Sequence, residues 1–251
     1  MRKGITTLGL IPVRATANER SEQVTQLMFG ESYEIMHKRG NWLYIRSLED
    51  NYEGWVDALM SMEDSREEIP EQIVLQRLIS TVEFPDGSTG LVPAGSKIPK
   101  PDGQGRFWLG NKQFILKDKQ DKPCTHITET GKKFLNSSYL WGGKTAFGID
   151  CSGFTQVVFR MHNAAIPRDA SLQAEIGETI CFRHDARPGD IAFFENNQGK
   201  IIHTGIILDE KHIIHASGRV RIDLLDHSGI FNTETRNYSH TLSVIKRIEI
   251  G

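Results

Sequence analysis

The sequence has no dominant charge: Lys and Arg number 30 against 32 Asp and Glu, a net of −2. Without a basic field there is nothing to collect phosphates, which argues against nucleic acid as the main partner. Cysteine is scarce, and Cys124, Cys151 and Cys181 are far apart and odd in number. That is no disulfide framework, and it fits a reducing compartment. No stretch approaches the roughly 18 apolar residues of a membrane span, so no membrane partner is expected. Met1-Arg2-Lys3 followed by Ile5 to Ile11 has the outline of an export signal, but the run is short, contains Thr6 and Thr7, and stops at Pro12 and Arg14. It reads equally well as a first β-strand, and the cytoplasm is the expected location. What remains is ordinary: 38% hydrophobic and 25% charged residues over 251 positions, enough for one large domain or one domain with smaller modules.

Residues 1–62 read as short strands between polar turns. Val24–Phe29 ends at Gly30-Glu31, Tyr33–Met36 near Arg39-Gly40-Asn41, and Trp42-Leu43-Tyr44-Ile45-Arg46 precedes Tyr52-Glu53-Gly54-Trp55-Val56. Strands at this spacing indicate a small barrel or sandwich. A Gly-Glu turn, then Trp-Leu-Tyr-Ile, then Gly-Trp-Val, in that order, resembles a bacterial SH3 domain. Residues 63–69 are acidic and polar and precede Pro70, as in a linker. Over 63–123 the strand texture returns, at Ile73-Val74-Leu75, Thr81–Phe84, Gly90-Leu91-Val92 and Arg106–Leu109, and reads as a second, divergent SH3-like barrel. Residues 124–251 differ. Helices are expected over Ile127–Asn136, Ser152–His162 and Ala170–Ile176, then strands over Ile191–Phe194, Ile201–Leu208 and Ile213–Ala216. Helices precede sheet, so the class is α+β.

The chemistry concentrates around Asp150-Cys151-Ser152-Gly153-Phe154. Asp150 and Ser152 are helix-capping residues, which puts Cys151 at a helix start. Unpaired N–H groups and the positive dipole end favour thiolate there. A thiol nucleophile needs a base, and the base an orienting group. Two strands, Lys200–Leu208 and His212–Ser217, flank the turn at Asp209. A hairpin centred on Asp209 sets His203 directly across from His215, with both rings on one face and isoleucines making the other face core. Two histidines could also bind zinc, but no HxH, HExxH or CxxC pattern supplies further ligands, so no metal is expected and no cofactor is implied. His37, His126, His162, His184, His212, His227 and His240 form no second constellation.

Six blocks carry a sharper resemblance: Tyr139-Leu140-Trp141-Gly142-Gly143, Asp150 to Phe154, Pro167-Arg168-Asp169-Ala170, Arg187-Pro188-Gly189-Asp190, His203-Thr204-Gly205-Ile206 and His215-Ala216-Ser217. In this order they resemble the NlpC/P60 family of compact, papain-like cysteine peptidases. The resemblance implies a Cys151–His203–His215 triad, with Tyr139 and the Cys151 N–H at the oxyanion.

With SH3-like modules ahead of it, the chain resembles the γ-D-glutamyl-L-diamino acid endopeptidases of murein-peptide recycling. The implied partners are small murein peptides of the L-Ala-γ-D-Glu-L-diamino acid type; partner proteins are not indicated. In such enzymes an SH3 residue closes the groove so that only a free N-terminal L-Ala fits. Asp150 and Tyr52 are the candidates to meet that ammonium, although Asp150 also reads as a helix cap and Tyr52 as a barrel-surface aromatic. Ser152 and Asp169 are further candidate substrate contacts, with Ser171 as an alternative. Trp141 reads as a groove wall or as a buried core residue. Two other readings stay open: a secreted peptidoglycan hydrolase, and a catalytically silent cell-wall binder.

Overall fold

The computed structural model describes residues 2–64, 66 and 70–250. Met1 and Gly251 lie outside the described residues. So do Ser65, Glu67, Glu68 and Ile69, on which most of the expected linker falls. The chain is α+β and divides into two compact units, Met1–Lys122 and Pro123–Gly251.

Among the described residues, the regular structure of the first unit is strand apart from one short 3-10 turn at Ala58–Met60. Its first half holds β1 (Arg2–Ile5), β2 (Leu10–Arg14), β3 (Gln23–Met28), β4 (Ser32–Arg39), β5 (Trp42–Ser47), β6 (Glu53–Asp57) and β7 (Met62–Glu63), in the sheet order β3-β2-β6-β5-β4-β1-β7. Burial alternates along β2, β5 and β6, as period-2 strands with one core face require. The residues with the outline of an export signal are thus strands β1 and β2. The second half holds β8 (Gln72–Val74), β9 (Ile79–Glu83), β10 (Thr89–Pro93), β11 (Lys97–Pro99), β12 (Arg106–Leu109) and β13 (Lys112–Leu116). These form a four-stranded sheet, β10-β9-β13-β12, and a β11–β8 ladder. Each half has a hairpin closed by a two-residue Gly-Asn turn, Gly40-Asn41 and Gly110-Asn111. Both glycines sit at φ 59°, as a turn with glycine in its first central position needs. Ile5 and Phe29, from the first half, belong to the buried cluster of the second, where Phe29 meets Phe107 and Phe114 edge-on. The two halves therefore share a core, and their division at 62/63 into two SH3-like modules stands as a proposal.

The second unit begins with α1 (Ile127–Lys133), β14 (Lys144–Thr145), β15 (Gly148–Ile149), α2 (Cys151–Arg160) and α3 (Ala170–Gln173). Seven strands follow: β16 (Glu178–Ile180), β17 (Ile191–Glu195), β18 (Ile201–Ile207), β19 (His212–Ser217), β20 (Arg219–Leu225), β21 (Gly229–Asn232) and β22 (Asn237–Arg247). The sheet order is β16-β22-β17-β18-β19-β20-β21, and β21 pairs back onto β22, so β17 to β22 close into a ring. Phe194, Ile207, Ile213, Leu225 and Ile230 fill one face. The other face of β18 and β19 is covered by helices: Gly131 of α1 lies against Phe154 of α2 and Ile214 of β19. The face opposite the histidines is core, as the alternating isoleucines imply, and the face that carries them is largely buried as well.

Candidate active site

The start of α2 is clamped from several sides. Asp150 caps it by accepting from the Gly153 N–H at 2.7 Å. The same carboxylate accepts from the Gly142 N–H at 2.8 Å, from the Arg168 guanidinium at 2.6 Å, and more distantly from the Ser152 hydroxyl at 3.4 Å. Arg168 is buried and also donates to Ser152 Oγ at 2.7 Å. Gly153 lets the loop before the helix come this close, since a Cβ there would lie 2.2 Å from the Gly143 carbonyl oxygen. From α3, Gln173 donates to the Ser152 and Pro167 carbonyls, and Thr155 donates to Gln173 Oε1. Cys151 is thus held on a fixed helix start.

Its thiol is not ionised at rest. Burial, followed by the charge of Asp150, pushes the Cys151 pKa up to about 12, while N–H groups of Thr204 and Ser152 and the charge of Arg168 pull weakly the other way. The thiolate expected from the helix start alone is corrected here, because desolvation outweighs the helix-start amides. The Thr204 N–H aimed at the sulfur ties Cys151 to β18, beside His203.

His203 Nε2 and His215 Nδ1 are 2.8 Å apart, with the rings nearly perpendicular. The register differs from a hairpin centred on Asp209. Gly205 faces His215 and Ile207 faces Ile213, so the turn is centred on Glu210 and the two histidines are diagonal. The shift of two residues keeps both rings on one face. Asp209 opens the turn, accepting from the N–H groups of Lys211 and His212. Gly205 is required across from His215: a Cβ there would sit 2.8 Å from the His215 Cβ. His203 titrates well below its ordinary value of 6.5, because of burial and then the neighbouring charges of His215 and His240. The resting pair is neutral thiol and neutral imidazole.

Two further residues join this face. Asp223 of β20 receives His215 Nε2 at 3.0 Å, and both side chains are 1% exposed. Arg221 donates from Nη2 to Asp223 Oδ1 at 2.9 Å. Burial raises the Asp223 pKa, but the hydrogen bonds and charges of His215 and Arg221 more than offset it, so the carboxyl stays below its ordinary range. His240 of β22 lies flat on His203, with centroids 4.0 Å apart and planes at 20°. Burial, then the charge of His215, lowers its pKa to about 4. His240 thus belongs to the site, although by sequence it formed no constellation. Among the described residues no His, Cys, Asp and Glu side chains group to hold a metal.

Tyr139 links the two sides of the site: its N–H donates to the Gly218 carbonyl after β19, and it forms an isolated parallel bridge with Ile149 of β15. It is half-buried. Burial, then the charges of Cys151 and Asp150, push its phenol up to about 12, so it remains an O–H donor. Trp141 is 59% exposed, which removes the buried-core reading. Asp150 has four protein donors on its carboxylate, and the Ser152 hydroxyl accepts from Arg168 and donates to Asp150. Asp169 is the residue before α3 and is partly exposed. Tyr52 lies in the first unit, half-buried just ahead of β6.

Two parts of the chain match known families. Residues 136–238 match the NlpC/P60 family, and residues 13–58 match the bacterial dipeptidyl-peptidase Sh3 domain. The gamma-D-glutamyl-L-lysine dipeptidyl-peptidases of Bacillus cereus and Bacillus subtilis are each 26% identical to this chain over 76% of its length. The chain spans 66% and 71% of those two relatives. A solved NlpC/P60 family protein from Bacillus cereus has the same fold, with a TM-score of 0.81 at 19% identity, covering 98% of this chain and 99% of that one. Residues 136–238 are therefore similar to the NlpC/P60 family, and the segment ahead of them, 13–58, to a bacterial dipeptidyl-peptidase Sh3 domain.

Proposed function

We propose that this protein is a cysteine endopeptidase that hydrolyses the γ-D-glutamyl-L-diamino acid bond of short murein peptides bearing a free N-terminal L-Ala, acting in the cytoplasm in cell-wall peptide recycling. The observation that carries the reading is the hydrogen bond between His203 of β18 and His215 of β19, with the N–H of Thr204, next to His203 on β18, addressing the Cys151 sulfur. The names of the Bacillus relatives support the substrate class. For the location, the support is that no helix among the described residues is long and apolar enough to cross a membrane, together with three free cysteines.

The neutral resting pair defines the first step. His203 takes the thiol proton as the sulfur attacks the γ-glutamyl carbonyl, and His215 orients the resulting imidazolium. The Cys151 N–H and the Tyr139 hydroxyl donate to the oxyanion. Collapse breaks the C–N bond, His203 returns the proton to the leaving amine, and a thioester remains on Cys151. Water, deprotonated by His203, then hydrolyses the thioester. Trp141 and Asp169 are the proposed groove contacts, and Tyr52 in the first unit the proposed phenol near the ammonium. Asp150 and Ser152 serve the substrate by fixing the helix start.

The test is incubation with L-Ala-γ-D-Glu-L-Lys, its diaminopimelate form and their N-acetylated forms, followed by mass spectrometry. The expected result is cleavage of the free-amine peptides only, absent in Cys151→Ala. Equal cleavage of acetylated peptides would remove the N-terminal requirement, and no cleavage of any would favour a silent binder.

A further inference from the structure

We infer that Asp223 is a fourth member of the catalytic line, a positioning residue that fixes the tautomers of both histidines and thereby makes His203 a base toward Cys151. The inference rests on the cysteine-peptidase reading of the site but not on the identity of the peptide.

With both rings uncharged, each imidazole has one N–H and one lone pair. The bond between His203 Nε2 and His215 Nδ1 can therefore run in either direction. If His203 donates, its Nδ1 carries the lone pair, and His215 must carry its proton on Nε2. If His215 donates from Nδ1, then His203 carries its proton on Nδ1 and has nothing with which to accept the thiol proton. The pair alone does not choose between these. Asp223 does, because its carboxylate oxygen lies 3.0 Å from His215 Nε2. In the second arrangement two lone pairs would face each other at that distance, buried from water. Asp223 cannot relieve this by becoming the donor, because Arg221 holds it ionised: Arg221 Nη2 donates to Oδ1 at 2.9 Å, and Nε lies 2.7 Å from Oδ2. Arg221 is itself anchored by Glu234 at 3.0 Å. The direction of both bonds is thus set from the charged end, running Asp223 to His215 to His203, and it leaves the His203 Nδ1 lone pair open to accept a proton.

The topology builds this line by repetition. His203 lies two residues from Gly205, the partner of His215 on the β18–β19 ladder, and Asp223 pairs with Ile213, two residues from His215, on the β19–β20 ladder. Three adjacent strands each contribute one polar side chain on the same face, displaced by the same step.

The test needs wild-type protein, Asp223→Asn and Asp223→Glu. Asparagine keeps the shape but can turn its amide N–H toward His215 Nε2, which favours the second arrangement. Long-range ¹H–¹⁵N spectra of wild type are expected to show His203 protonated on Nε2 and His215 on Nε2. A wild-type His203 protonated on Nδ1 overturns the inference with no variant needed. Asp223→Asn is expected to move the His203 proton to Nδ1, to slow iodoacetamide alkylation of Cys151 at pH 7, and to lower kcat by ~10³-fold or more with KM within about twofold, as a lost tautomer anchor does in a serine triad. Asp223→Glu is expected to restore part of kcat. Asp223→Asn that keeps the wild-type tautomer, alkylation rate and kcat, with a wild-type melting temperature, would also overturn it. If wild type cleaves none of the murein peptides while spectra and alkylation respond as stated, the substrate reading fails and this one stands.

Discussion

At the scale of single residues, burial governs the site more than charge does. Cys151, His203 and His240 all sit where ionisation is unfavourable, so each is neutral at rest. For the two histidines this has a stability consequence. Both have folded pKa values below the ordinary 6.5, so below that pH the unfolded chain binds protons that the folded chain refuses. Their contribution is complete above about pH 6.5 and is lost as pH falls toward the His240 value of about 4. Melting temperature is expected to drop over this window, and less steeply in His240→Phe, which keeps a flat ring on His203 without a titrating group. Equal slopes in the two proteins would show that His240 ionises freely in the fold.

Elements decide where those residues meet, and here the sequence is legible in part. The Asp-Cys-Ser-Gly helix start and the two histidine strands stand out because helix caps and alternating isoleucines carry strong local signals. The hairpin register does not, since one Asp can either centre a turn or open it, and Asp209 opens it. Strands β20 and β22 were not foreseen, and with them went Asp223 and His240. On β20, Arg221 and Asp223 are two apart on a strand of mixed burial, the signature of a solvated ion pair. On β22, His240 follows a run of exposed polar residues. Only ring closure turns these side chains inward, and that is a non-local event. Gly205 shows how tightly the elements then fit. Gly205→Ala would place a methyl 2.8 Å from the His215 Cβ and 2.9 Å from the Ile214 carbonyl oxygen. The expected cost is about 1–3 kcal/mol of stability by denaturant unfolding, with a larger fractional loss in kcat than in KM, because His215 is displaced. A variant with wild-type kcat would mean that the ladder absorbs the methyl without moving the ring.

Across the whole molecule, the SH3-like region was recognisable from its turn-and-tryptophan pattern, but its shared core was not. Ile5 and Phe29 are remote in sequence from Leu75, Phe107 and Phe114, and only folding packs them together. Residues 63–122 expressed alone should therefore lack two buried side chains and show no cooperative melt. Adding back residues 1–62 in the same chain should restore one. A sharp independent transition for the 63–122 fragment would establish that half as a free-standing module.

The closed ring of β17 to β22 has a consequence for timing. Strand β22 spans Asn237–Arg247 and pairs with β16, β17 and β21, so the ring is sealed by a strand that follows all of its partners in chain order. Until that strand emerges, β17 has a bare edge and His203 lacks its stacking ring. The helix that begins at Cys151 is thus made well before the strand whose His240 completes the face around His203.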